Sequence, residues 1–248
     1  MLTRWTEFQS GSLTVSSDSG FNAANKGYRG GDKLQHPHGW GPGGGGYVSV
    51  VNWMGGGFGG GYGGAGGYAR DGFSLANGFA VAPFGPGSGS GRGDGDGSTG
   101  GGAIRIRSTG PVVMNGTLNA DGAIGIPNWG GGASGGAIWV ICQGFSGEST
   151  AVMTAKGGNG VNGNYNGGGG GRIAVWHKIA DGMEHIADEL YVGDTRHARL
   201  SDTHAAYLGT TSVTNGTFNV DRSVPPPEPG TLVFVEIPPP SSTMLLLR

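Results

Sequence analysis

The chain has 248 residues, 58 of them glycine and 13 proline, and a net charge of -2. That length fits one sizeable domain or two small ones, and the near-balanced charge lacks the basic footprint of a nucleic-acid binder. A single cysteine, Cys142, excludes an internal disulfide and a multi-cysteine zinc site, and no run approaches the roughly 20 apolar residues of a membrane span.

So much glycine and proline is the composition of low-complexity sequence. Trp40, Trp53, Trp129, Trp139 and Trp176 stand inside or beside the glycine stretches, however, and chains that stay unfolded lack such apolar mass. Glycine is also uneven: 53 of the 58 fall in residues 1–178 and 5 in the last 70. The expected organisation is a glycine-rich repeat region over 1–178, a β-rich terminal or capping segment over 179–223 and a proline-rich tail over 224–248.

In chain order, a first repeat runs from Phe21-Asn22-Ala23-Ala24 through Gly27–Gly31 and Gly43–Gly46 into Val48-Ser49-Val50. An insertion over about 55–98 follows, with Phe58, Tyr62 and Tyr68 spaced by glycines. Then Ala103-Ile104-Arg105-Ile106, Ala137-Ile138-Trp139-Val140 and Arg172-Ile173-Ala174-Val175 each follow a glycine run, with Ile104, Ile138 and Ile173 spaced by 34 and 35 residues. A second motif keeps that period, since Leu118–Gly122 is followed 35 residues later by Met153–Gly157.

Repetition at this period indicates a stacked architecture. The alternation in Ala103–Arg107 is that of a half-buried strand, so Ile104 with Ile106, Ile138 with Val140, and Ile173 with Val175 should form aliphatic ladders. The expected fold is an all-β, right-handed parallel β-helix-like solenoid with glycine-rich loops and at least two strands per repeat. Ordering a glycine costs about 0.5 to 1 kcal/mol more than ordering an alanine. Two devices offset this: positive φ in tight turns, or packing of glycine runs as extended helices bonded through their backbones. The second suits Gly55–Gly67. Ser212–Asp221 echoes Asn115–Asp121 and reads as a diverged terminal rung.

The order of these motifs, ending in Gly168–Gly171 and Arg172-Ile173-Ala174-Val175-Trp176, resembles the glycine-rich repeat segments of large bacterial cell-surface or secreted parallel β-helix proteins of adhesin type. The resemblance spans roughly residues 10–178 and implies an extracellular or surface location, although no signal peptide is visible at the N-terminus. Pro238–Arg248 is similar to a truncated bacterial C-terminal sorting signal of the Pro-Glu-Pro type, without the glutamate.

The function expected from this is a non-catalytic structural or adhesion module that presents glycine-rich loops, with polysaccharide or another surface protein as partner. Trp139 and Trp176, on the face opposite the ladders, could form a sugar-stacking strip, or pack beneath the glycine loops. Asp94 and Asp96 place oxygens at alternate positions, as a weak calcium site would, and Arg92-Gly93-Asp94 resembles an integrin-recognition tripeptide. The spacings of His36, His38, His177, His185, His197 and His204 match no zinc signature. One alternative is a β-helix polysaccharide lyase or hydrolase, for which Asp121 and Lys156 stand one repeat apart. The other is a phage tail-tip adhesin with packed polyglycine helices, which requires Gly55–Gly67 to be ordered and hydrogen-bonded.

Overall fold

The structure is a computed structural model, and it describes residues 7–48, 56–67, 72–127, 130–161, 166–179, 199–217 and 225–237. The sorting-signal resemblance, Trp53, Tyr68, Trp129, His185 and His197 lie outside these residues. Strands and no helix are found among the described residues.

Short strands stack in register at the repeat period. One sheet takes β1 (Glu7–Ser10), β6 (Ala103–Ser108), β9 (Ala137–Ile141), β12 (Arg172–His177) and β15 (Thr231–Glu236), all parallel. A second holds β2 (Leu13–Val15), β7 (Pro111–Met114) and β10 (Gly144–Ser146). A third holds β3 (Gly20–Asn22), β8 (Thr117–Asn119), β11 (Val152–Thr154) and β14 (Thr210–Ser212).

The expected ladders form: Ile104 pairs with Ile138, Ile173 and then Leu232, while Ile106 pairs with Val140, Val175 and Phe234. These side chains meet Val112, Met114, Leu118 and Met153 from the other two sheets in one apolar core. Fully burying each such aliphatic side chain is worth about 1.5 to 3 kcal/mol.

The solenoid expectation is nevertheless corrected. The sheets are open, and the largest is mixed, because β13 (Arg199–Ser201) joins its far edge antiparallel to β15. A separate antiparallel pair joins β4 (Tyr47–Val48), at the end of the first repeat, to β5 (Gly56–Gly57) of the insertion. The physical reason is that the chain leaves the strands for a long glycine-rich excursion after β3, β8 and β11, and the described parts of these excursions are not loops. They pack on one another as a second body.

Its pattern is clearest over 132–136. Gly132 and Gly135 donate to Asn166 and Gly169 carbonyls at 2.9 and 3.0 Å. Ala133 and Gly136 donate to Ala123 and Ala120 at 3.0 and 2.8 Å, and Ser134 donates to Ser88 at 3.1 Å. Bonds that return to the same neighbour every third residue follow the three-residue turn of a polyproline II helix.

The insertion joins this lattice, with Gly60 donating to Gly132, Gly61 to Gly43 and Gly64 to Gly170. Positive φ is confined, among the described glycines, to Gly41, Gly72 and Gly78. Most of the glycines therefore serve close approach rather than turns: a Cβ on Gly132 would land on the carbonyl oxygen of Gly158, and one on Gly168 on that of Ala133. Buried serines cross-link the body, with Ser90 Oγ 2.9 Å from Ser98 Oγ, and Ser134 Oγ accepting from Ser88 N at 2.8 Å.

Thr231–Glu236, which composition assigns to a proline-rich tail, is a strand paired along its whole length with β12. Proline flanks it on both sides without entering it, so no ladder bond is lost.

Candidate functional site

Among the described residues, the glycine excursions bend at 32–38 and 92–96, and a third reaches 124–127. The tips at 32–38 and 92–96 adjoin, since Arg92 N donates to Pro37 O at 3.0 Å and Lys33 N to Asp96 Oδ1 at 3.4 Å, and the stretch at 124–127 lies beside them, with Ile126 3.9 Å from where a Cβ on Gly95 would stand. Gly125 N extends the row by donating to Asn159 O at 2.7 Å. Large apolar side chains stand out from these tips, with Leu34 92% exposed and Ile124 64% exposed, beside the half-exposed Ile126. Asp32 braces its own tip through Oδ1, which accepts from the backbone of Leu34, Gln35 and His36. Those amides, Gln35 first, hold its carboxyl below the ordinary value.

Beside this row lies a cleft of about 320 Å³ lined by His36, His38, Trp40, Pro42, Phe73 and neighbouring glycines. His36 stacks on Trp40 with ring centroids 4.3 Å apart, and His38 stacks on Phe73 at 4.4 Å. The Arg29 guanidinium sits over the Trp40 ring at 4.7 Å, a cation–π contact that holds the indole in place. Burial, then the neighbouring His36, pushes the pKa of His38 down, so this imidazole is neutral near pH 7.

Trp139 and Trp176 stand elsewhere and are closed to solvent, each 1% exposed. Residues 79–84 of the insertion cover them: Ala82, Val81 and Phe84 pack on the pair, and Trp176 Nε1 donates to Val81 O at 2.5 Å. Arg105 lies over the Trp139 ring at 4.4 Å. Arg172 ties the same segment down, donating through Nη2 to Asn77 O at 2.8 Å. An open sugar-stacking strip is therefore not what these two rings form.

Asp94 and Asp96 are exposed at their tip, and no group of three or more His, Cys, Asp or Glu suited to a metal ion occurs among the described residues. Asp121 Oδ1 accepts the backbone N–H of Lys156 at 2.7 Å, a strut between successive glycine segments. Cys142 is fully buried, and burial pushes its thiol up to about 12, which leaves it protonated and inert.

The histidine spacings match no zinc signature, so they do not by themselves mark the cleft in the sequence. His36-Pro37-His38-Gly39-Trp40 puts three rings into five residues at a tip, and this density was the available clue. No known protein family, curated protein or solved structure matches this chain. No helix among the described residues is long and apolar enough to cross a membrane.

Proposed function

We propose that the chain is a non-catalytic display module of a cell surface or extracellular matrix, which holds its row of tip loops out for adhesion to a polysaccharide or another surface protein. The observation behind this reading is the contrast at the tips: Leu34 and Ile124 are exposed on turns whose flanking segments are bonded backbone to backbone. Apolar side chains held out on a rigid frame suit recognition, because little conformational entropy remains to be lost on binding.

The test is capture of the purified chain on immobilised polysaccharides and on whole bacterial cells, with the supernatant assayed for released sugar ends. The expected result is capture without release, reduced at least tenfold by Leu34→Ser combined with Ile124→Ser and Ile126→Ser at unchanged melting temperature. Release of sugar ends would instead establish the polysaccharide-cleaving alternative.

A second reading, the tip of a phage tail, draws on one specific observation: Gly59 to Gly67 is hydrogen-bonded to several neighbouring segments. It predicts saturable staining of particular bacterial strains by a fluorescent fusion of this chain.

A further inference from the structure

The tautomers of the two cleft histidines follow from their backbone partners. His38 Nδ1 accepts the amide hydrogen of Tyr47 at 3.1 Å, so that nitrogen carries no proton and the neutral ring has its hydrogen on Nε2. His36 Nδ1 lies 2.6 Å from the carbonyl oxygen of His38, which can only accept, so here Nδ1 carries a proton, and in the neutral tautomer Nε2 keeps a lone pair. The neutral pair thus holds one imidazole donor and one imidazole acceptor, on cleft-lining rings whose centroids are 6.1 Å apart.

Each alternative ligand chemistry meets one wrong partner. A carboxylate or phosphate can only accept, and would face the His36 lone pair. An ammonium can only donate, and would face the His38 N–H. A metal ion needs a lone pair on both rings, and the Tyr47 amide holds the single lone pair of His38. A hydroxyl group both donates and accepts, and neighbouring hydroxyls on one ring satisfy both nitrogens. Phe73 and the part of Trp40 left exposed by His36 and Arg29 supply the apolar surface that the C–H faces of such a ring require. The volume, at the lower end of the roughly 300 to 1,000 Å³ of small-molecule sites, limits the occupant to about one or two rings.

We infer that this cleft binds an uncharged, hydroxylated ring, one hexose-type residue of a glycan, between the His36–Trp40 and His38–Phe73 stacks. The inference rests on the adhesion reading and narrows it to a glycan at this cleft.

The test uses the intact chain and records imidazole and indole NMR signals during titration with methyl glycosides of neutral hexoses and N-acetylhexosamines. Methyl glucuronide, methyl glucosaminide and zinc ion serve as comparisons. At least one neutral glycoside is expected to move the His36, His38 and Trp40 signals saturably, with affinity at least tenfold better than the charged sugars. Trp40→Ala should abolish the shifts without changing the melting temperature.

The inference fails if no neutral glycoside moves these signals, if charged sugars or zinc move them as strongly, or if Trp40→Ala leaves the affinity unchanged. Capture on cells separates the two ideas: capture that persists in Trp40→Ala while no glycoside moves the rings leaves adhesion standing and removes the cleft from it.

Discussion

The strand stack and the glycine body keep the same repeat but are held together by opposite means. In the stack, side chains do the packing: Ile138, Val140, Ile173 and Val175 are fully buried and aligned rung over rung. In the glycine body buried side chains are few and mostly small, Phe58 and Tyr62 apart, and segments approach until backbone amides reach backbone carbonyls on several sides. Removing Cβ is what permits that approach, and every amide so buried must find a carbonyl. One half tolerates changes of shape and punishes polarity, whereas the other punishes any added atom.

The largest effect expected from breaking this contrast is at Ile138→Asp, which puts a carboxylate into the middle of the ladder. An unpaired buried charge costs more than about 4 kcal/mol, so thermal unfolding followed by circular dichroism should lose its cooperative transition. Ile138→Val should cost only about 0.5 to 1.5 kcal/mol.

In the other half the chemistry reverses. Gly168→Ala adds one methyl group on top of the Ala133 carbonyl, and overpacking of this kind costs about 1 to 3 kcal/mol. Denaturant melts of this variant should show a loss comparable with that of a large apolar truncation elsewhere.

A third prediction concerns the seam where β12 meets the C-terminal segment. His177 is buried with its ring 4.3 Å from that of His204. Burial first, and then His204, pushes its pKa down to about 4. The unfolded chain, with an ordinary value near 6.5, binds the proton more readily. The stabilisation is therefore complete above about pH 6.5 and lost as the pH falls toward 4, by an amount on the order of 2 to 3 kcal/mol. Melting temperature against pH should fall through that window in the parent, and His177→Gln should flatten the fall.

The smallest effect is expected at the turn between β1 and β2. Gly11 has nothing within 4 Å of where a Cβ would stand and no positive φ, so Gly11→Ala should be neutral or stabilising by up to about 1 kcal/mol. A loss there as large as that of Gly168→Ala would show that glycine content, rather than close approach, governs this chain.

The two halves also differ in how far they could be read from sequence. The ladders were legible because Ile104, Ile138 and Ile173 repeat both residue type and spacing, and strand pairing needs little more. The glycine segments repeat a composition that carries no address, so nothing in Gly130–Gly136 tells it to bond at once to 166–169, 120–123 and Ser88. For Trp139 and Trp176 the sequence left two readings open, a sugar-stacking strip or burial, because their alternation points them outward and the segments that cover them, Val81 and Ala82 of the insertion and Val235 near the C-terminus, share no pattern with them. Thr231–Glu236 was hidden by its prolines, although Leu232 and Phe234 continue the ladders. At the candidate site, the aromatic cleft depends on Phe73 of the insertion meeting His38, a contact between segments that share no pattern.

The amide-on-amide contacts of the glycine body also shape how the protein answers temperature. Unfolding the strand stack hydrates hydrocarbon and raises the heat capacity, while unfolding the glycine body hydrates mainly peptide groups, which lowers it. With the two contributions opposed, the heat-capacity increment per residue should fall below the usual 12 to 15 cal/mol/K. The curve of stability against temperature is then broad and shallow, which favours a module that must keep its shape in the cold as well as in warmth.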